Sequence, residues 1–574
     1  MKNVFSIYGI MDRNIFKYPG YVHDHNLCIS SAGKIRDYYH LERISRKKYD
    51  NTMHRSIEKL LFESATTKPQ AGDLFLFVNS FVGSSFISEN GRIRFDCNNQ
   101  NTDLTKPEKG YCWIQPEPWE GFEAEAYSIS HEIAHVFSAV AFTGELKENS
   151  LLISFDGGSS TGNFAAFHYK NGLLSQIESH WQLSHLSKLY NDNGLSFAMM
   201  NAEPGEHCSV PGKLMGYASW GKPDAKTMHW LQEHNYFRDA WGDRHDFYTK
   251  ARKMFGWEGN FDNNKDPFLF DLAACMQETF KKELLSKIKE LAVQTGADYL
   301  YYAGGCALNI VANAELVTNK WFRDVFISPC CNDSGLSIGA ACYWDYLHGQ
   351  NVSIESPYIN SYGCNADYNL SDDEILKTAE AIAAGKIVGI CNGYAEAGPR
   401  ALGNRSILCL ASSKELSEKV SMQIKGREWY RPVAPIMLEK NAKIFTGLQS
   451  IHHLSEYMLL DFDILQQYKN ELQGVVHSNG TARIQTIFSE KANPFMFRLL
   501  SHLDEQYQIR ALINTSFNGK GEPIVQTTED AINSANAMSL DAVVINGKYN
   551  TYELARDYNE RSSECFSFSR ENCF

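Results

Sequence analysis

Residues 131–135 read His131-Glu132-Ile133-Ala134-His135, and a short way on comes Leu151-Leu152-Ile153-Ser154-Phe155-Asp156-Gly157-Gly158. Two histidines four apart on a helix share one face, so both imidazoles can reach one metal ion. The flanking sequence predicts a helix over 124–142, largely apolar and free of interior Gly and Pro. Alone, the pentapeptide matches the HExxH of zinc peptidases, with Glu132 as general base. The second stretch argues for something else. A buried apolar strand ending in Asp-Gly-Gly is a candidate nucleotide-phosphate turn, because glycines let backbone N–H groups approach an anion. No third histidine follows at metzincin spacing, and a peptidase leaves the Asp-Gly-Gly turn unexplained.

Outward from this stretch, strands and helices alternate as in an α/β domain. Strand-like runs lie at 74–78, 151–155, 299–303 and 325–328, and a long helical pattern covers 270–294. The N-terminal residues 1–8 read as a first strand, with an apolar part too short for a signal peptide. A polar, irregular stretch over 349–372 marks a domain boundary, set at residue 360. Beyond it the pattern resumes: a helix over 372–384 capped by Ser371, strands at 386–390 and 510–514, and a helix opening at Thr527. No solenoid-type repeat is visible. The tail after Leu554 is polar and expected to be peripheral.

The 574 residues suffice for two or three domains with sizeable cores. A net charge of −13 argues against a general nucleic-acid binder, so local arginine clusters need a local reason. Fourteen cysteines without CxxC spacing look like core residues of a reduced cytoplasmic protein. The vicinal pair Cys330-Cys331 reads as a packed loop. No run is apolar for long enough to span a bilayer.

Two further turns follow candidate strands: Gly304-Gly305, leading to Asn309, and Asn332-Asp333-Ser334-Gly335. Asp333 in isolation is a ligand or a helix N-cap. Asp156, Gly304-Gly305 and Asp333 together stand where α/β folds place ligands. Two His and two Asp suit iron or zinc, whereas Mg²⁺ favours all-oxygen ligands. In the second domain Arg400 and Arg405 sit in a glycine-rich loop, Lys425, Arg427 and Arg431 lie beside aromatics, and Arg483 follows. Asn514, Ser516 and Asn518 add amide and hydroxyl groups. Arginine forks match phosphate oxygens bidentately, so a converging set binds a polyphosphate.

These residues resemble the O-carbamoyltransferases of antibiotic and Nod-factor biosynthesis, of the tobramycin carbamoyltransferase type. The strings that carry the likeness are His23-Asp24, Glu42-Arg43 with Arg46-Lys47-Lys48, His131 to His135, Asp156-Gly157, Gly212-Lys213-Leu214-Met215-Gly216, Gly304-Gly305 with Leu308-Asn309, and Asp333 with Gly335. In the second half they are Gly398-Pro399-Arg400-Ala401-Leu402-Gly403, Lys425 with Arg427-Glu428 and Arg431-Pro432, Arg483 with Gln485-Thr486, and Asn514 to Asn518. The resemblance implies an α/β protein with an N-terminal actin/sugar-kinase-like ATPase fold over 1–360. A YrdC-like α/β domain over 361–574 would follow.

The family's reaction joins carbamoyl phosphate and ATP into carbamoyl-adenylate in the YrdC-like domain. It then passes the carbamoyl group to an acceptor hydroxyl at the N-terminal metal site. By match, His131, His135, Asp156 and Asp333 would hold Fe²⁺, with Zn²⁺ an alternative. Gly157, Gly158, Lys213, Gly304, Gly305 and Asn309 would line the N-terminal nucleotide site. Arg400, Arg405, Lys425, Arg431, Arg483, Asn514, Ser516 and Asn518 would line the adenylate site, with Mg²⁺ accompanying ATP. His23 would be the base for the acceptor hydroxyl, with Asp24 beside it.

The expected partners are thus carbamoyl phosphate, ATP and a hydroxylated small molecule, with no nucleic acid and no membrane. Acceptor identity and oligomeric state stay open. Three departures stand out: His25-Asn26 after His23-Asp24, a long segment over 11–21, and a weakly matching 51–123. The competing readings are an HExxH zinc peptidase and a non-catalytic nucleotide-binding scaffold.

Overall fold

The computed structural model describes residues 2–10, 22–98, 102–180, 184–197, 207–236, 244–350 and 353–551. The 11–21 segment and the tail after Leu554 lie outside the described residues.

Strands β1 (Asn3–Tyr8), β2 (Asn26–Ser31) and β3 (Lys34–His40) form an antiparallel meander. β4 (Leu74–Val78) runs parallel to β1 on its other side. β5 (Phe86–Ile87), β6 (Ile93–Asp96) and β7 (Glu108–Glu117) extend the sheet edge, and β8 (Glu120–Ile129) runs parallel to β4. The central order is β3-β2-β1-β4-β8. The same plan then repeats. β9 (Ser150–Phe155), β10 (Phe164–Lys170) and β11 (Leu173–His180) form a second meander. β12 (Tyr299–Ala303) and β13 (Asp324–Phe326) add in parallel beyond β9, giving β11-β10-β9-β12-β13. β4 and β9 are buried along their whole length, as the apolar runs 74–78 and 151–155 require of strands covered on both faces. This duplicated mixed α/β arrangement is the fold class expected of the N-terminal half.

One expectation is corrected. Residues 124–129 are strand, not helix. Ala124 and Ala126 face the core while Glu123 and Glu125 point outward, a period of two. The helix begins at His131, after the N-cap Ser130, whose Oγ accepts from the Ile133 N–H.

The helix His131–Thr143 leaves β8 of the first sheet but rests on β9 and β12 of the second. The helix Leu336–Leu347 leaves the second sheet and rests on β1, β2 and β4 of the first. The two cross face to face, and glycine sets their separation. A Cβ on Gly339 would lie 1.7 Å from the Ala134 carbonyl oxygen, and one on Gly335 would lie 2.2 Å from that of Cys330.

The C-terminal part builds a seven-stranded mixed sheet, ordered Gln485–Ile487, Ala434–Leu438, Leu512–Ser516, Arg405–Leu410, Val388–Cys391, Ala542–Ile545, Lys548–Thr551. The helix Asp372–Ala383 starts at Ser371 as expected. The chain also crosses the sequence boundary. β14 (Tyr358–Asn360) pairs with β3, and the strand Ala395–Glu396 pairs with β14, so C-terminal residues extend the first sheet. Arg46 donates from Nη1 to Ile524 O at 2.7 Å and from Nη2 to Pro523 O at 3.0 Å. Arg43 donates to Gly398 O at 2.9 Å. Tyr217 meets Tyr430 at 5.1 Å and Trp220 meets Trp429 at 4.9 Å, edge to face. The halves therefore share buried apolar surface.

Among the described residues no helix is long and apolar enough to cross a membrane, and the cysteines are free thiols.

Gly339→Ala should force the two helices apart and cost roughly 1–3 kcal/mol or more in urea denaturation. Gly212→Ala, in the helix Val210–Ala218 with open space around its Cβ, should be neutral or stabilise by about 0.5–1 kcal/mol. A stable Gly339→Ala would mean that the helices are not held this closely.

Candidate functional site

His131 and His135 project from the first turns of their helix, and Asp156 follows β9. Asp333 opens the turn before the helix Leu336–Leu347. One ligand atom from each of the four lies within 4.8 Å of all the others. His131 Nε2 and His135 Nε2 each stand 3.4 Å from Asp333 Oδ1. All three atoms are buried without a hydrogen-bond partner, which is costly unless something bridges them. The tautomer fits a cation. His131 Nδ1 lies 3.2 Å from the Asn79 carbonyl oxygen, which only accepts, so Nδ1 carries the proton and Nε2 offers its lone pair. Tyr8 O–H donates to Asp333 Oδ2 at 2.8 Å, leaving Oδ1 for the centre. Asp156 is steadied from outside: Gly305 N–H donates to its Oδ1 and Gly158 N–H to its Oδ2. A Cβ on Gly304 would lie 2.1 Å from Phe155 O, so the glycine turn is what lets this loop close on the strand. Burial alone would lift the Asp333 carboxyl, but His131 and His135, with His23, hold it well below its ordinary range. Burial and then Asp333 push the Tyr8 hydroxyl up, so it stays a neutral donor.

Beside this quartet, Asp24 sits in the left-handed region at φ 55° and gathers three partners. His23 Nδ1 and Asn332 Nδ2 reach its Oδ2, both at 2.9 Å, and His40 Nε2 reaches its Oδ1 at 3.0 Å. Burial would lower His23, but Cys208 and Asp24 raise it well above its ordinary value. His25 is pushed down to about 3, chiefly by burial, so this departure from the family string is a neutral packed imidazole. Asn26 ties the loop together, donating to Asp24 O at 2.6 Å and Asp333 O at 2.8 Å.

The second constellation is cationic. Arg400, Arg427, Arg431 and Arg483 converge with Lys425. Burial lowers Arg400, Arg427, Arg483 and Lys425, and the positive charge of neighbours in this set lowers each further. Arginine remains protonated, and Glu428, which pairs with Arg431 at 3.2 Å, offsets only part of the repulsion. Arg400 Nε and Arg483 Nε are buried without partners. Lys425 Nζ donates to Ser516 Oγ at 3.1 Å and to Asn518 Oδ1 at 2.7 Å, fixing the end of the strand Leu512–Ser516. Asn514 donates to Ala401 O at 3.2 Å and keeps a buried, unpaired Oδ1.

The two constellations share a wall. A Cβ on Gly398 would stand 2.1 Å from Pro329 O, so the Arg400 loop lies directly on the loop that carries Asp333. Tyr49 lies between them, 6.0 Å from the His23 ring centroid and within the field of both Arg400 and Arg431.

Three expected site residues have structural work instead. Arg405 spends its guanidinium on the carbonyls of Gln526, Asn392, Asn404 and Gly393, so it braces the loop and has no donor left for a ligand. Lys213 pairs with Glu428 at 2.7 Å across the domain junction. Asn309 caps the helix Ile310–Thr318. Gly157 and Gly158 form the turn beside Asp156. Glu132 Oε1 accepts from the Thr161 N–H at 3.1 Å and hydroxyl at 3.3 Å, while its Oε2 is buried without a partner. Tyr8, Asn79, His40 and Tyr49 were not singled out by sequence, because isolated polar residues in strands and loops carry no pattern. Arg427 was visible in the basic cluster.

A histidine–aspartate quartet thus lies against a buried cation pocket on this two-part α/β frame. The chain belongs to the carbamoyltransferase family and is a carbamoyltransferase. Carbamoyltransferase N-terminus matches residues 120–342 and Carbamoyltransferase C-terminus matches residues 379–551. Nodulation protein NolO of Bradyrhizobium diazoefficiens is 29% identical over 442 residues, covering 73% of this chain and 78% of that protein. Nodulation protein U of Azorhizobium caulinodans is 35% identical over 260 residues, 44% of this chain and 45% of that protein. A solved structure, full-length HypF in the phosphate- and nucleotide-bound form, covers 32% of this chain and 22% of its own at 19% identity and TM-score 0.24.

If the quartet holds metal, purified protein should carry about one divalent ion per chain, and His135→Ala should lose it. Tyr8→Phe should weaken retention by roughly 10- to 100-fold against a chelator. Full metal content in His135→Ala would place the ion elsewhere.

Proposed function

We propose that this carbamoyltransferase is ATP-dependent, with carbamoyl phosphate as donor and a hydroxylated small molecule as acceptor. The observation that carries this reading is the convergence of four arginines with Lys425, in which Arg400 Nε and Arg483 Nε are buried without a hydrogen-bond partner, beside a separate histidine–aspartate quartet. In the cation pocket, Arg400, Arg427, Arg431 and Arg483 bind phosphate oxygens and hold ATP against the donor. Water cleaves phosphate from carbamoyl phosphate, and the carbamate oxygen attacks the α-phosphorus, displacing pyrophosphate. The product is carbamoyl-adenylate. At the quartet the acceptor oxygen attacks the carbamoyl carbon, AMP leaves, and the hydroxyl proton passes to His23, which Asp24 orients. His131, His135, Asp156 and Asp333 would hold a divalent ion that polarises the carbamoyl carbonyl; two imidazoles and two carboxylates suit iron or zinc. The shared wall supports passage of the adenylate from one site to the other within one chain.

The reading is tested on the half-reactions separately. Arg400→Ala and Arg483→Ala should slow pyrophosphate release by roughly ten- to hundredfold, since a charged hydrogen bond to a buried anion is worth about 1.5–3 kcal/mol. His131→Ala should spare pyrophosphate release and abolish transfer, as seen by mass spectrometry of a hydroxylated metabolite pool. Equal loss of both steps in a folded His131→Ala protein would contradict two separate sites.

His23 must be neutral to take a proton, and its proton affinity is raised. Transfer should therefore quicken as pH rises from neutrality. His23→Asn should remove that dependence and lower transfer by roughly 10²–10⁴. An unchanged rate and profile would exclude the base role.

A further inference from the structure

A pocket of guanidinium and ammonium groups satisfies the oxygens of a carbamoyl donor but not its nitrogen. The carbamoyl NH₂ presents two N–H donors, and donors facing donors leave both unpaired. The pocket needs an acceptor. The carboxylates within its field are Glu428, Glu522 and Asp461. Glu428 is bound by Lys213 at 2.7 Å and Arg431 at 3.2 Å. Glu522 Oε2 accepts from Gly519 N–H at 3.0 Å and Ser534 O–H at 3.2 Å.

Asp461 is different. A two-stranded ladder pairs Phe462 with Ala482 and Asp463 with Thr481. One step further in the same register, Asp461 faces Arg483, on neighbouring backbones of an antiparallel pair. The two attract each other. Yet Asp461 Oδ1 and Arg483 Nε are both buried with no hydrogen-bond partner. His477 keeps its Nδ1 3.7 Å from Asp461 Oδ1 and 3.0 Å from Thr481 Oγ1. Burial, then Arg483, pushes His477 down to about 3, so it is neutral. Thr481 and the Phe462 N–H bond the Asp461 carboxyl from its own ladder, which leaves Oδ1 as the acceptor without a partner and Arg483 Nε as the donor without one, the complement of a planar group with an oxygen on one side and N–H on the other.

We infer that Asp461 is a specificity-determining residue that accepts the N–H of the carbamoyl group while Arg483 holds its oxygen. The inference rests on the reading of the cation pocket as the carbamoyl-donor site. Burial pushes Asp461 up to about 6, which leaves it an acceptor at neutral pH. Its role is to reject acyl phosphates that lack the N–H and would leave Oδ1 buried and unpaired.

The test compares carbamoyl phosphate with acetyl phosphate, whose methyl replaces the NH₂, using full-length enzyme, saturating ATP and pyrophosphate release. Acetyl phosphate is scored by its apparent affinity, as substrate or competitor. Asp461→Ala should lower kcat/KM for carbamoyl phosphate by roughly ten- to hundredfold and leave the affinity for acetyl phosphate within about twofold. Asp461→Asn, which keeps an acceptor oxygen, should retain part of the preference. Equal losses on both donors would make Asp461 a structural residue and overturn the inference alone. A wild-type enzyme that releases no pyrophosphate with carbamoyl phosphate would overturn the donor reading, and this inference with it.

Discussion

The close crossing of two helices holds the metal-competent quartet together. His131 and His135 come from a helix that follows the first sheet, and Asp333 from a turn that follows the second. They meet because Gly339 lets the helix Leu336–Leu347 lie against the Ala134 carbonyl, where a Cβ would stand 1.7 Å away. Backbone approach of this kind tolerates no side chain, so the site geometry is fixed by packing and not by loop conformation. Around that contact, Tyr8 and Asn79 set the orientation of Asp333 and His131 from two further strand ends.

The same economy joins the two halves. The Asp333 loop is pinned on one side by the Gly304 N–H, which donates to Cys331 O at 2.8 Å. On the other side Gly398 packs on Pro329. One loop is therefore the wall of the quartet and the floor beneath Arg400. A shift of that loop therefore moves groups on both sides of it.

Much of this was legible in sequence. The runs at 74–78, 151–155 and 299–303 are strands because nearly every residue in them is buried, and no helix pattern competes. The quartet was legible because each member follows a strand or opens a helix with a glycine or histidine spacing of its own. Residues 124–129 misled because alanine has high helix propensity, whereas its burial here alternates with glutamate in a strand. Arg405 misled for another reason. An arginine beside glycines looks the same in sequence whether its donors await a phosphate or are spent on four carbonyls; only the fold distinguishes the two. The partnership of Asp461 with Arg483 depends on a two-residue ladder too short to leave a pattern.

The central claim is that one chain holds a metal in the quartet and an adenylate in the cation pocket at the same time. Anomalous diffraction at the iron and zinc edges, from crystals grown with a non-hydrolysable carbamoyl-adenylate analogue, tests this most directly. The account predicts one anomalous peak among His131, His135, Asp156 and Asp333, with the analogue's phosphate among Arg400, Arg427, Arg431 and Arg483. A metal peak at Asp324, His452 and His453 instead, where two imidazoles also meet a carboxylate, or an empty cation pocket, would contradict it.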